Sequence, residues 1–355
     1  MLRLIATLMD SGRYSTSQEG VEVLSKTTKR EFTNGIALTA AAAILGVSPG
    51  PADAEPPPET TRLTFPRYPY DHGCLAPQWV AEELLRAEGF TEIQYTETTD
   101  ALIGLAAGKI DFGAVDAMSL LLSLDAGQPL VAIGGLHAGC FEVFGTSRVR
   151  SLLDLKNGTI AIGWAGGRAL VTAMGTYVGF DPRRHARLVT PPSHEAMQLL
   201  ADGKIDAMLG FPPEPQELRR RKIGHVVIST REEHPWSQYF CCLTTANATF
   251  VKKHPVATKR MLRAVLKAAN MCALEPDRVG RFLVDRGFLK NYDYAVQTLK
   301  EIPWTRWREY DSADTMRFYA LRLHETGMIK SSPQKTLAGG TDWRFINELK
   351  KELKA

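Results

Sequence analysis

The amino-acid sequence predicts an α/β fold built from two similar lobes with a cleft between them. The first observation is an internal repeat: residues 101–111 recur as residues 196–206, and both copies end in Gly-Lys-Ile-Asp. The offset of 95 residues (196 − 101) is far longer than the roughly 20–50 residues of a solenoid repeat. The second is the alternation of predicted strands and helices, which is typical of α/β domains. The third is size, because 355 residues with 44% hydrophobic content are enough for about two domains.

Both copies of the repeat predict the same local structure. Apolar residues at helical spacing end at a glycine, Gly108 or Gly203, and a short strand follows. Strands are predicted at residues 63–65, 93–95, 112–115, 130–134, 159–163, 207–210, 225–228 and 239–244. Helices are predicted at residues 77–88, 117–125, 169–178 and 215–222.

Four motifs occur along the chain in a recognisable order. They are Ala76-Pro77 before a long helix, the Gly-Lys-Ile-Asp ends of the repeat, Leu153-Asp-Leu-Lys-Asn-Gly158, and Phe211-Pro-Pro-Glu-Pro215. Over residues 61–275 this order resembles the periplasmic substrate-binding proteins of ABC transporters. The resemblance is to the nitrate/sulfonate/taurine group, which includes relatives of the thiamine-pyrimidine synthases.

The resemblance implies a type II periplasmic binding protein fold with the ligand cleft between the lobes. It implies a protein that hands a captured small molecule to an ABC transporter permease in the inner membrane, acting as a monomer. The implied parts are a first lobe of residues 61–147 and 237–272, a second lobe of residues 148–236, crossovers near residues 144–148 and 236–244, and helices packed on the first lobe from residues 273–355.

The amino terminus predicts export. Residues 36–47 form an uncharged apolar run that is too short to span a bilayer, and Ala52-Asp53-Ala54 follows it with small residues suited to signal peptidase. Residues 28–32 resemble a twin-arginine export signal, with Lys29 in place of the first arginine. Residues 1–54 are therefore predicted to be a cleavable signal peptide, and the mature protein is expected in the periplasm from about Glu55. The formal net charge of +4 does not indicate a nucleic-acid partner.

Candidate ligand-binding residues are those that follow predicted strands, because ligands of α/β folds bind where strands end and helices begin. The first lobe is predicted to contribute Tyr70, His72, Cys74, Asp116 and His137. The second lobe is predicted to contribute Trp164, Gly166, Gly167, Arg168, Phe211 and Glu214.

An anionic ligand is predicted from one of these segments. Gly166 and Gly167 precede a helix expected to begin near Ala169, so free backbone N–H groups and the Arg168 guanidinium would face the cleft together. Trp164 and Tyr70 are expected to stack on the ligand or close over it. Two alternatives stay open. Arg168 would face solvent and the ligand would be neutral, or Asp116 would only cap the helix that follows it.

An enzyme is the first rival interpretation, and it is not favoured. The cofactor chemistry of the thiamine-pyrimidine synthases needs a lysine and a histidine, and the corresponding run, residues 113–120, contains neither. The sequence also contains no G-x-S-x-G or H-E-x-x-H motif. No catalytic residue and no cofactor is therefore predicted.

Metal capture is the second rival. The pairs His72 and Cys74, and His137 and Cys140, are expected near the cleft together with Cys241 or Cys242, and imidazole and thiolate suit zinc or copper. Because the spacings match no tight ligand motif, no metal ligand is assigned. Cys241 and Cys242 lie in one predicted strand, where alternation should send their side chains to opposite faces.

Overall fold

We analysed a computed structural model of the chain, which describes residues 55–354. The predicted signal peptide, residues 1–54, lies outside the described residues. Among the residues that are described, no helix is both long enough and apolar enough to cross a bilayer.

Ten strands form three sheets within residues 55–354. They are β1 Arg62–Arg67, β2 Glu92–Glu97, β3 Phe112–Asp116, β4 Leu130–Ala138, β5 Glu142–Gly145, β6 Thr159–Ala161, β7 Arg187–Val189, β8 Ala207–Gly210, β9 His225–Ser229 and β10 Phe240–Asn247. Strands β1 and β2 pair in parallel. Strand β10 lies between β3 and β4 and runs antiparallel to both. The third sheet has the order β7-β6-β8-β5-β9, in which β6 is parallel to its neighbours and β5 is antiparallel to its own.

Fifteen α-helices occur in the same range. They are α1 Ala76–Val80, α2 Glu82–Ala87, α3 Ala101–Ala106, α4 Ala117–Asp125, α5 Ala165–Tyr177, α6 Pro182–His185, α7 Ser193–Ala201, α8 Glu214–Arg221, α9 Ala248–Lys253, α10 Pro255–Leu274, α11 Pro276–Asp285, α12 Tyr292–Glu301, α13 Ser312–Glu325, α14 Pro333–Ala338 and α15 Arg344–Glu352. The predicted alternation of strands and helices is confirmed from β1 to β4 and from β6 to β9, whereas no α-helix separates β4, β5 and β6.

The two copies of the sequence repeat adopt the same backbone structure. Gly108 and Gly203 both have a φ of +66°, in the left-handed region that favours glycine. In each copy, the aspartate accepts a hydrogen bond from the backbone of a strand residue that lies 47 residues earlier in the chain. The Thr64 N–H donates to Asp111 Oδ2 at 2.8 Å, and the Thr159 N–H donates to Asp206 Oδ2 at 2.7 Å. The repeat therefore builds the same helix–turn–strand unit twice and ties each unit to an earlier strand.

Three local predictions differ from the structure. The predicted helix over residues 77–88 divides into α1 and α2. Strands β5 and β7 are not among the predicted strands. The four residues of β5 are all buried and show no alternation. Residues 142–145, which the sequence analysis assigns to the first lobe, pair with β8 and β9 in the five-stranded sheet. The lobe boundaries themselves stay a prediction.

The expectation for the paired cysteines is wrong. Cys241 and Cys242 are both buried on β10, and their sulfur atoms lie 3.7 Å apart instead of on opposite faces. The reason is an irregularity in the pairing of β10 with β4, where the register shifts on both sides of Cys242. A β-bulge of this kind re-aims side chains and breaks strict alternation.

The carboxyl-terminal segment packs against β4 and β10. Trp304 and Trp307 are fully buried, and the Trp304 ring meets the His137 ring edge-on with centroids 5.2 Å apart. The Gly135 N–H donates to Ser312 Oγ at 2.9 Å. These contacts hold the strands that form one side of the cleft.

A candidate ligand-binding cleft

A cleft of about 1350 Å³ opens where strands of different sheets end. Seven of the predicted site residues line it: Tyr70, His72, Cys74, Asp116, Trp164, Phe211 and Glu214. The other four, His137, Gly166, Gly167 and Arg168, are not among its lining residues. Lining residues follow β1 and β3 on one side and β6 and β8 on the other, so a ligand in the cleft contacts segments from separate sheets.

Aromatic rings connect the two sides of the cleft. The His72 ring stacks on Phe211 with centroids 4.6 Å apart, and Phe211 meets Trp164 edge-on at 5.3 Å. Near these contacts, the Gly73 N–H donates to the Pro212 carbonyl at 3.2 Å. Tyr70 stands at the rim and donates its hydroxyl proton to the Thr99 carbonyl. The wall can therefore cover the faces of a flat ligand.

Asp116 has two roles. Its Oδ1 accepts from the Ser119 N–H at 2.8 Å and caps helix α4, as the capping alternative expected. Its Oδ2 accepts from the Trp164 indole N–H at 3.2 Å, and the residue lines the cleft. Burial raises the pKa of the Asp116 carboxyl, while its hydrogen bonds with Ser119 and Trp164 oppose that rise. Asp116 thus links the end of β3 to the segment after β6.

Glu214 is the second carboxyl held at the cleft wall. It begins helix α8, accepts from the Phe211 N–H at 3.1 Å, and is hydrogen-bonded by the Ser193 hydroxyl. Burial raises the pKa of the Glu214 carboxyl to about 7, despite these two hydrogen bonds. Its charge therefore changes close to neutral pH.

The segment predicted to receive an anion is arranged differently from the expectation. Helix α5 begins at Ala165, not near Ala169, so Gly166 and Gly167 are buried in its first turn. A Cβ atom on Gly166 would collide with the side chains of Asp116 and Ser119, so glycine there allows close packing of α5 against Asp116. Arg168 is partly exposed and lies outside the cleft lining.

The charges around the cleft are mainly negative. Among the described residues that line it are five carboxyl groups and one lysine: Asp71, Asp100, Asp116, Glu214, Glu217 and Lys290. The sequence analysis missed Lys290 because it lies far along the chain, in a region interpreted as packing helices. His194, which is not among the predicted site residues, is exposed at the cleft wall. Tyr68 was missed although it belongs to the same segment as Tyr70.

A group of soft side chains lies at and below the cleft floor. Cys242 on β10 is the register partner of Asp116 on β3 and of His137 on β4. The ligand atoms of Cys74, His137, Cys140 and Cys242 all lie within 4.8 Å of one another, and all four residues are buried. Burial alone would lower the pKa of His137, but the neighbouring Cys242 and Cys74 sulfurs raise it to about 10.

Comparison with known proteins assigns the family. The family model described as "NMT1/THI5 like" matches residues 91–279, more than half of the chain. The chain belongs to the NMT1/THI5-like family. Its matching region contains the second strand, both copies of the repeat and β10.

Solved structures confirm the predicted fold of periplasmic binding proteins. The periplasmic nitrate-binding protein NrtA from Synechocystis matches with a TM-score of 0.70 at 13% identity, covering 84% of this chain and 90% of NrtA. The alkanesulfonate-binding protein SsuA from Xanthomonas axonopodis pv. citri, bound to MOPS, matches with a TM-score of 0.63 at 17% identity, covering 82% of this chain and 99% of SsuA.

The curated sequence relatives are matched over a shorter stretch. The bicarbonate-binding protein CmpA of Synechococcus elongatus is 30% identical over 113 residues. That match covers 31% of this chain and 24% of the CmpA sequence, so the chain spans about a quarter of this relative. All three named relatives of this NMT1/THI5-like protein are binding proteins.

Proposed function

We propose that this protein is an exported, monomeric solute-binding protein that captures a small molecule in the cleft and delivers it to the permease of an ABC importer. The observation that carries the proposal is the cleft itself, whose lining comes from segments that follow strands of separate sheets. Periplasmic binding proteins with the same fold support the periplasm as its location. Hinged lobes of this kind close around a ligand because each side supplies part of the contacts.

The proposed ligand is a small planar heterocycle that donates hydrogen bonds and is neutral or cationic. The stacked and edge-on rings of His72, Phe211 and Trp164 suit a flat molecule. Asp116, at the end of β3, and Glu214, after β8, both line the cleft and offer carboxyl oxygens as acceptors. Five carboxyl groups among the described lining residues would repel an anion and attract a cation.

An anion is the second candidate, and one observation favours it. Gly163, Trp164 and Ala165 line the cleft at the amino end of α5, a helix of 13 residues whose first backbone N–H groups are free for an acceptor. The names of the relatives, which bind nitrate, alkanesulfonate and bicarbonate, point the same way. The Asp116 carboxylate packs against the first turn of α5, and its negative charge would disfavour an anion bound there.

A thermal-unfolding screen of the purified chain separates the two candidates. The probes are an aminopyrimidine, an alkanesulfonate, nitrate and bicarbonate, each at increasing concentration. A true ligand at 100 times its dissociation constant stabilises the folded protein by about 2.7 kcal/mol. Stabilisation by the aminopyrimidine alone supports a planar heterocycle as the ligand. Stabilisation by the anions alone contradicts that ligand and supports an anion. Stabilisation by no probe in this panel or in a wider small-molecule panel contradicts the solute-binding proposal.

Fractionation of the producing cells tests export. We expect the protein in the osmotic-shock fraction, with an amino terminus near Glu55, because Ala52-Asp53-Ala54 precedes that position. A full-length chain retained in the cytoplasm would remove the transport proposal.

A further inference from the structure

The buried cysteine–histidine cluster is assembled by three separate segments of the fold. Cys74 lies in the turn Gly73–Leu75 that precedes α1, and His137 lies near the end of β4. Cys140 follows β4, and Cys242 lies on β10. His137 and Cys140 are close in sequence, but Cys74 and Cys242 are far from them and from each other, so the meeting of the four is a property of the folded chain.

The side chains are the set that a thiophilic metal ion prefers. Three thiols and one imidazole make a Cys₃His set, which is a common zinc environment and also suits Cu⁺. A tetrahedral ion with Zn–S bonds of about 2.3 Å spaces its ligand atoms roughly 3.8 Å apart. The four ligand atoms already lie within 4.8 Å of one another, so small side-chain movements would complete the tetrahedron.

The orientation of His137 is a second and independent observation. Its Nδ1 lies 3.1 Å from the Ala138 carbonyl oxygen, which fixes that nitrogen as the donor. Its Nε2 is buried and has no hydrogen-bond partner. A buried ring nitrogen without a hydrogen-bond partner costs free energy, and a metal-binding histidine usually donates its other ring N–H to a carbonyl or carboxylate, as here.

We propose that Cys74, His137, Cys140 and Cys242 bind one soft metal ion, with zinc as the reference ion, as a resident part of the protein. Four protein ligands fill a tetrahedral coordination shell and leave no open position, as in structural zinc sites. The burial of all four residues also fits a resident ion better than a transported one. Because Cys74 and Cys242 also line the cleft, the ion lies at the floor on which the cleft ligand rests.

A disulfide is the competing use of the same sulfur atoms. The Cys140 and Cys241 sulfurs lie 2.7 Å apart, and an oxidant that removed two electrons and two protons would join them. That bond would consume Cys140 as a metal ligand. The experiment must therefore begin with fully reduced protein and then compare it with protein isolated without reductant.

The first experiment uses the wild-type chain. Purified under reducing, oxygen-free conditions and passed through gel filtration after zinc addition, it should retain about one zinc per chain. Replacement by Co²⁺ should give the intense thiolate-to-cobalt and tetrahedral absorption bands. Absence of retained zinc and of these bands in the reduced, folded protein would overturn the proposal. A Cys140–Cys241 disulfide that forms in the cell and excludes zinc from the isolated protein would overturn it as well.

The second experiment compares adjacent cysteines on one strand. Cys242→Ala should weaken zinc binding by about a hundredfold or more, whereas Cys241→Ala should retain about one zinc per chain. Cys272→Ala, which removes a fully buried thiol outside the cluster, is the control for packing. An equal loss of zinc affinity in Cys241→Ala and Cys242→Ala, or no loss of zinc affinity in either variant, would overturn the assignment. Circular dichroism of each variant tests whether it is folded. The cobalt spectrum of the wild type tests the proposal even if a variant does not fold.

Discussion

The two copies of the repeat are alike up to the ends of their strands and differ beyond them. Asp111 and Asp206 each accept from the backbone of a strand 47 residues earlier, and Gly108 and Gly203 share a φ of +66°. After the strand, the first copy places Asp116 as a helix cap at the cleft. The second copy places the segment from Phe211 to Glu214 at the opposite wall. The comparison teaches that the repeated residues build the scaffold, while the residues after them determine what the cleft can bind.

The largest expected effect is on stability, at the repeated aspartates. Asp111→Ala and Asp206→Ala should each lower the free energy of unfolding by about 1.5–3 kcal/mol, because each leaves a strand N–H without its charged acceptor. Urea unfolding measures the loss. Asp202→Ala is the control, since Asp202 is exposed and solvent screens its pair with Lys204. A stable Asp111→Ala variant beside an unstable Asp206→Ala variant would show that the copies are not equivalent.

The next largest effect is expected on ligand affinity, at Asp116, where the first copy of the repeat begins to differ from the second. Asp116→Asn keeps the cap of α4, because asparagine caps helices as well as aspartate does. It removes a charged acceptor from the cleft, so the affinity for a hydrogen-bond-donating heterocycle should fall about 10- to 100-fold in calorimetry. An anionic ligand would bind more tightly to the same variant, which would decide in favour of the second candidate.

A smaller effect is expected on the pH dependence of stability, at Glu214, which follows the second copy of the repeat. Burial raises the pKa of Glu214 to about 7 in the folded protein, above its ordinary value, although hydrogen bonds with Ser193 and Phe211 lower it. The folded protein then holds a proton that the unfolded chain releases near pH 4.5, so stability is full below that pH and falls as pH rises towards 7.

Glu214→Gln isolates this contribution. The difference in unfolding free energy between wild type and variant should change by on the order of 2 kcal/mol between pH 4 and pH 8, with the wild type losing stability relative to the variant. Glu195→Gln, at an exposed carboxyl on α7, is the control. A difference that stays constant with pH would show that the pKa of Glu214 is the same in the folded and unfolded protein.

The smallest expected effect is at Arg168. Because Arg168 lies outside the cleft lining, Arg168→Ala should change ligand affinity by less than about twofold. A loss of more than about tenfold would bring back the original hypothesis, in which its guanidinium and the first turn of α5 hold an anion together.

Much of the fold was predictable because local patterns determine it. The repeat, its glycines and most strands follow from periodicity and turn residues, and the structure confirms them. Strand β5 was not predictable from alternation, since both of its faces are buried. The start of α5 was misplaced because Gly166 and Gly167 suggest a loop, whereas the close approach of Asp116 requires glycine inside the helix.

The site was predictable in part, for a physical reason. Residues that follow strands, such as Asp116 and Trp164, were found because carboxyl ends of strands gather ligand contacts. Lys290 comes from a distant helical region and no local pattern marks it. The meeting of Cys74, Cys140 and Cys242 around His137 depends on strand register and on a bulge in β10, which a single sequence does not determine.

Calorimetric titration of the chain with the heterocycle selected by thermal unfolding tests the central claim most directly. We predict one binding event per wild-type chain and a roughly 10-fold weaker one in Trp164→Ala, because Trp164 contributes stacking and orients Asp116. Trp343→Ala replaces a partly exposed tryptophan outside the cleft lining and should bind as the wild type does. Absence of binding to the wild type, or equal weakening in both variants, would contradict a ligand site in this cleft.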